Sequence, residues 1–154
     1  ISKGKLSGVD LSGADLSGGN LKGADFTDAK LTGVDLSRAD LVEAVLENAE
    51  IKNSFLTGAD LHGANLKNSN LEGSNLSGAK LSKADLSQAS LKNTNLNRAD
   101  LEHANLSGAN LTQADLVGSK LTDARFTNAN LNGTNLTGAD VTDADFSGAR
   151  GYEP

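Results

Sequence analysis

Residues 59–66 read ADLHGANL, in which a small residue, a polar residue and a leucine are followed by two turn residues before the pattern restarts. A large apolar side chain occupies every fifth position from Ile1 to Phe146, and every leucine of the chain falls at one of these positions. Every alanine except Ala149, which precedes Gly151, lies two positions before one of them. This uninterrupted five-residue period decides the fold.

The period does not fit an α-helix, because residues five apart are rotated by about 140° and form no continuous apolar stripe. Within one repeat the small and the large residue are two apart, which is the period of a β-strand. Both therefore face inward, and the residue between them, usually Asp or Asn, faces outward. The two residues that follow form a corner. The sequence thus predicts an all-β solenoid whose coils pair as parallel neighbours.

The second corner residue is Gly, Asn or Asp in most repeats, and these residues tolerate the positive φ of a type II turn. Bulkier residues stand at the other corners, where we expect a second turn type with negative φ. These corners are Lys3, Arg38, Glu43, Lys83, Gln88, Arg98, His103 and Gln113.

The repeat, as in residues 14–18 (ADLSG) and 59–63 (ADLHG), closely resembles the A(D/N)LXX repeat of the pentapeptide repeat family over residues 1–150. This resemblance implies a right-handed quadrilateral parallel β-helix with four repeats per coil, about 7.5 coils and a length of about 36 Å. Residues 1–150 would form the helix and residues 151–154 its C-terminal end, a lid. The resemblance is to the loop-free members abundant in cyanobacteria.

The composition limits the chemistry and the compartment. The chain has 154 residues, a net charge of −6 and no cysteine, which excludes disulfides and thiolate sites. No apolar run is long enough to span a membrane. Because the chain begins with Ile, removal of a signal peptide is one explanation and a trimmed chain is the other. The location therefore stays open between the cytoplasm and, after such removal, the periplasm or thylakoid lumen.

Catalysis needs convergent groups in a concave site, and a prism with flat faces offers none. His62 and His103 are predicted on one face but about 10 Å apart, too far to share a proton or a metal. Asp40 and Asp60 are neighbours without a third carboxylate beside them. We therefore predict a non-enzymatic protein with no catalytic, metal-binding or cofactor-binding residues and no cofactor.

Stacked residues 20 apart leave no face with a strong charge of one sign, and on one face Asp60, Lys80, Asp100, Lys120 and Asp140 alternate as expected charge pairs. Some members of the resembling family mimic DNA and bind type II topoisomerases such as gyrase. About 36 Å of duplex carries on the order of 20 charges, whereas this chain has a net charge of −6. A structural or protein-binding rod of unknown partner is the favoured prediction, DNA mimicry is the alternative, and nucleic acid is not expected as a partner.

Apolar residues replace polar surface residues in the repeats around residue 50. Val42, Val45 and Phe55 form a candidate protein-contact patch, with Phe55 as its anchor. The alternative is that they are separate surface hydrophobes on different sides of the rod.

The two ends of the solenoid also need cover. We expect Tyr152 to fold across the last coil as an end cap, and Phe126 and Phe146 to stack inside one face near that end. An uncovered N-terminal coil predicts either residues upstream or end-to-end association of copies of the chain.

Overall fold

The computed structural model describes residues 4–153, and within that range it contains no helix and no continuous strand. Single parallel bridges instead join residues 20 apart, from Lys5–Asp25 to Asn130–Arg150. The bridged residue is always the outward one of its repeat, so four repeats separate bridge partners. The chain is therefore a repeat β-solenoid. No helix of the described residues is long and apolar enough to cross a membrane.

The bridges form four ladders that run along the solenoid. For each ladder, three of its outward residues are Asn20, Asp40 and Asp60 (first ladder), Asp25, Val45 and Asn65 (second), Lys30, Glu50 and Asn70 (third), and Asp35, Phe55 and Asn75 (fourth).

Residues 84–88 show how one repeat satisfies its five backbone N–H groups. The small residue closes the corner before it, the outward residue donates to the preceding coil, and the leucine and second corner residue donate to the following coil. The first corner residue donates to the outward side chain. These bonds join Ala84 N to Leu81 O (3.1 Å), Asp85 N to Ala64 O (2.9 Å), Leu86 N to Asn105 O (2.7 Å), Gln88 N to Ser107 O (2.9 Å) and Ser87 N to Asp85 Oδ1 (2.9 Å).

The outward Asp or Asn is therefore a structural acceptor as well as a surface residue. Its Oδ1 accepts the N–H two residues later, from Asp10 with Ser12 at 3.1 Å to Asp145 with Ser147 at 2.9 Å. This is the Asx-turn bond, which Asp and Asn make more strongly than Ser or Thr. It explains the preference for Asp and Asn at the outward position, which sequence reasoning left unexplained.

The expectation of two kinds of corner was wrong. At each corner from Gly8 to Gly148, the second of the two corner residues has a positive φ. This includes the bulky residues, for example 57° at Arg38 and 61° at Gln113. From Gly8 to Asn128 the N–H of the second corner residue bonds to a carbonyl of the following coil, as Arg38 N does to Thr57 O at 2.9 Å, and this bond favours a single corner geometry. Lys3 lies outside the described residues. The other corrected positions are Glu43, Lys83, Gln88, Arg98 and His103.

Most bulky corners are followed by glycine one coil later, the exceptions being Lys83 and His103, which are followed by His103 and Asp123. Gln88 lies over Gly108 and Gln113 over Gly133, where an added β-carbon would collide with the glutamine side chain. The stem of Arg38 likewise lies 3.4 Å from where a β-carbon on Gly58 would stand. Each such glycine leaves room for the side chain of the preceding coil.

The core is an axis of large side chains surrounded by small ones. From Leu21 to Leu131 the inward apolar residues are at most 4% exposed. The hydroxyls that replace alanine in this wall donate to backbone carbonyls, so no buried hydroxyl among them is left unpaired. They belong to Ser54, Ser69, Ser74, Thr94 and Ser119.

Candidate protein-contact site

The structure separates the three residues of the candidate patch. Val45 lies on the second ladder and Phe55 on the fourth, so another ladder lies between them in either direction around the coil. Val42 is a corner residue following the first ladder, and both valines are half-buried. Phe55 is 51% exposed. A flat partner surface cannot contact Val45 and Phe55 together, so the site centres on Phe55.

The preceding coil holds the backbone of Phe55 at both its N–H and its carbonyl. Its N–H donates to Val34 O at 2.9 Å, and its carbonyl accepts the N–H of Leu36 at 2.7 Å. The side chain therefore projects from a rigid frame, and a partner need not order the backbone on binding.

A pair of buried serines reinforces this frame. The N–H of Ser54 donates to the hydroxyl of Ser74 at 3.0 Å, and that hydroxyl donates to Ile51 O at 2.6 Å. The Ser74 hydroxyl thus links the two ends of the corner before Phe55. The sequence signal was Ser in place of Ala at two stacked positions, which sequence reasoning did not use.

The surroundings of Phe55 are polar and of mixed charge. Its ladder neighbours are Asp35 and Asn75, whose Oδ1 atoms each accept a corner N–H at 3.0 Å. Arg38 crosses the corner at Gly58, three residues after Phe55. The site is one apolar side chain within a polar face.

The alternating charges of the first ladder are neighbours, but they do not form contact ion pairs. Asp60, Lys80, Asp100, Lys120 and Asp140 are successive bridge partners. Within residues 4–153, the ion pair found at 4.0 Å or less joins His103 Nδ1 to Asp123 Oδ2 at 3.6 Å. The expected charge pairs of this ladder are thus limited to interactions through solvent, which are weak.

The histidines and paired carboxylates stay apart. His62 Nδ1 contacts Ser82 Oγ at 2.6 Å. His103 lies two coils after His62 and faces Asp123. Asp40 and Asp60 are adjacent bridge partners. Among the described residues, no group of three or more His, Asp or Glu side chains could hold a metal ion.

Hydrogen bonding lowers the pKa of five outward carboxyls in coils near the two ends. The Ser17 hydroxyl, followed by the Ser17 N–H, lowers the pKa of Asp15 below its ordinary value. The Ser147 hydroxyl and N–H do the same for the pKa of Asp145, with a smaller contribution from Arg125 on the preceding coil. The pKa values of three further residues are lowered in the same way, namely Asp10, Asp25 and Asp140.

We expect acid to loosen these coils. A carboxyl whose folded pKa lies below its unfolded pKa of about 3.9 stabilises the fold fully above that value, and this contribution is lost as the pH falls through the folded pKa. Carboxyl titration followed by NMR should give Asp15 and Asp145 pKa values below 3.9. The protection factors of the Ser17 and Ser147 N–H groups, taken against the intrinsic exchange rate at each pH, should fall in acid.

Asp15→Asn is the matched control, because an asparagine keeps the acceptor and removes the titration, as Asn105 does for Ser107 at 3.0 Å. The protection factor of the Ser17 N–H should then stay constant as the pH falls. A measured pKa at or above 3.9 for Asp15 would contradict the hydrogen-bond explanation.

Stacked aromatic rings cover part of the C-terminal end, where the inward Leu136 and Val141 stay partly exposed. The Phe126 and Phe146 centroids are 5.0 Å apart with rings 5° from parallel, and the Tyr152 ring stacks on Phe146 at 3.7 Å and 2°. Tyr152 thus occupies the position expected of an end cap. A pocket of 450 Å³ opens beside it, between Leu131, Thr134 and Leu136.

The chain belongs to the pentapeptide repeat family: residues 5–41, 39–78, 79–118 and 109–148 match the family of pentapeptide repeats. The five-residue period is the feature shared with it. No match to this chain was found among curated protein sequences.

Solved structures of the same family resemble this one. HetL, involved in heterocyst differentiation regulation in the cyanobacterium Nostoc, is 32% identical, with 97% of this chain and 85% of HetL covered and a TM-score of 0.62. Trypsin-treated QnrB1, a plasmid-mediated fluoroquinolone resistance protein, is 26% identical, with 92% and 76% covered and a TM-score of 0.72. A protein of the Arabidopsis thaliana thylakoid lumen is 32% identical, with 77% and 69% covered and a TM-score of 0.50.

Proposed function

We propose that this chain is a non-enzymatic rod that binds a partner protein through the fourth ladder, with Phe55 as the anchor. The observation that carries the proposal is the half-exposed phenyl ring on a backbone fixed by ladder bonds and by the Ser54–Ser74 pair. Aromatic anchors of this kind concentrate binding energy at protein interfaces. The regulatory role stated for HetL is in keeping with a binding function.

A photo-crosslinking amino acid placed at position 75, beside Phe55 on the fourth ladder, tests the proposal in the source cells. Phe55→Ala in that background should weaken capture of the crosslinked partner by about tenfold or more, as loss of an interface anchor does. Asn95→Ala, on the same ladder two coils away from Phe55, is the matched control and should leave capture unchanged. Equal capture by both variants would refute Phe55 as the anchor.

DNA mimicry on a type II topoisomerase is a second candidate, supported by the likeness to QnrB1 at a TM-score of 0.72. The charge distribution argues against it, because Lys80 and Lys120 interrupt the acidic ladder and the net charge is only −6. Inhibition of gyrase supercoiling by low micromolar protein would favour this function over the first.

We also infer the finer geometry and a second mode of association. A right-handed quadrilateral helix of about 7.5 coils agrees with bridges 20 residues apart.

End-to-end pairing of copies is supported by Leu6, Leu11 and Leu16, which are only partly buried. Light scattering that finds a strict monomer at high concentration would contradict this pairing. For the location we retain the cytoplasm or, after signal-peptide removal, the periplasm or thylakoid lumen.

A further inference from the structure

The chain contains a single Asn–Gly step, Asn132–Gly133. At such a step the backbone nitrogen of the glycine can attack the amide carbon of the asparagine side chain. Glycine presents no β-carbon to hinder that approach. Elsewhere in the sequence the residue after asparagine is larger.

Within residues 4–153, the Gly133 nitrogen lacks the hydrogen bond that the second-corner nitrogens of the earlier coils make, as do those of Gly138, Asp143 and Gly148 in the same last coil. At Gly108, Gln113 and Asn128 the corner N–H donates to a carbonyl 19 residues later, at 2.9, 3.0 and 2.9 Å. The equivalent carbonyl for Gly133 would belong to Tyr152, but the bridges end at Arg150 and the chain departs from the coil path at Gly151. Within residues 4–153 the Gly133 N–H has no acceptor.

The attacked side chain is accessible to water. Asn132 is exposed, and its own N–H is held by Asn130 Oδ1 at 3.0 Å. The two Asn–Ser steps contrast with it, since the serine in each is buried and its N–H is bonded: Ser54 N to Ser74 Oγ at 3.0 Å, and Ser69 N to Leu66 O at 3.1 Å.

We propose that Asn132 is a site of spontaneous deamidation. The Gly133 nitrogen gives its proton to a solvent base and bonds to the side-chain carbonyl carbon of Asn132. The bond from that carbon to the side-chain nitrogen breaks, and ammonia departs with a proton from solvent. Water then opens the cyclic imide at either carbonyl, giving aspartate or isoaspartate. The net reaction consumes one water and releases one ammonia.

The product alters the end cap. Isoaspartate inserts an extra methylene into the backbone of the last coil, between the bridged Asn130 and Asn135. The new carboxylate stands beside Gly151, because the Asn132 side-chain oxygen is among the atoms nearest to that glycine. As deamidation accumulates over time in solution, Tyr152 is therefore displaced from Phe146.

The test is incubation of the full chain in mildly alkaline buffer, with peptide mapping by fragmentation mass spectrometry and enzymatic methylation of isoaspartate. Thr32→Asn is the matched control, because position 32 is exposed in the same corner column but the Gly33 N–H donates to Lys52 O at 2.9 Å. Conversion at Asn132 should be about tenfold faster than at the asparagine introduced by Thr32→Asn, since the latter requires opening of that bond.

Equal rates at the two positions would refute the role of the unpaired N–H. An unchanged Asn132 under conditions that convert a free peptide of residues 129–136 would refute the site itself. In Asn132→Gln, isoaspartate should be absent from this segment. If isoaspartate persists there in that variant, another residue is the source.

Discussion

Leu86→Ala should lower the free energy of unfolding by about 2–5 kcal/mol, the range for removing a fully buried leucine side chain without collapse of the site. Leu86 is 0% exposed, and its repeat satisfies all its N–H groups within rigid ladders. The surrounding coils cannot close the cavity without breaking those ladder bonds. Urea unfolding followed by circular dichroism measures the loss.

Leu6→Ala is the matched control, because Leu6 occupies the same inward column in a coil near the end and is only partly buried. The loss of unfolding free energy in Leu6→Ala should be nearer ~1 kcal/mol, since folding buries less apolar area at that position. In a solenoid each coil contacts only its neighbours, so a change near the end also perturbs fewer interfaces. Equal losses for the two variants would contradict a continuous packed axis.

Gly151→Ala should destabilise the C-terminal coil by about 1–3 kcal/mol and displace the Tyr152 ring. Gly151 has a φ of 78°, and an added β-carbon would lie 2.7 Å from the backbone nitrogen and 2.8 Å from the α-carbon of Asn132. Asn132 cannot retreat easily, because its carbonyl accepts the N–H of Gln113 at 3.0 Å.

The chain has one tyrosine, four phenylalanines and no tryptophan, so tyrosine fluorescence and the tyrosine band of the near-ultraviolet circular dichroism spectrum report on the cap, separately from the phenylalanine bands. Gly138→Ala is the control: its φ is 71°, but the nearest atoms to an added β-carbon are those of Gly118, at 3.9 and 4.0 Å. It should incur only the backbone cost of about 1 kcal/mol and leave the tyrosine signal unchanged. An unchanged signal in Gly151→Ala would show that the glycine does not position the cap.

The corners show where sequence reasoning failed. Arg38 or Gln88 in isolation favours negative φ, so a second turn type was the reasonable local prediction. The ladder overrides that preference, because a corner N–H turned away from the following coil would lose its bond in the middle of the stack. The same nonlocal requirement accounts for the glycines that follow these bulky corners by one coil.

The candidate site was predictable only in part. An apolar residue at an outward position was enough to identify Phe55, since the period alone assigns inward and outward faces. The Ser54–Ser74 bond behind Phe55 and the stacking of Tyr152 on Phe146 depend on distances between coils, which a sequence does not contain. The lack of an acceptor for the Gly133 N–H could not be predicted from the sequence either, because it results from the path of residues 151 and 152.

The sequence by itself determined which side chains face the axis and that the chain must coil, because the burial of Leu and Ala every five residues is a local constraint on each repeat. Only the tertiary structure decided which residues share a ladder, the φ of every corner, and the separation of Val45 from Phe55. Those features follow from hydrogen bonds between residues about 20 apart, and such bonds are set by the pairing of whole coils.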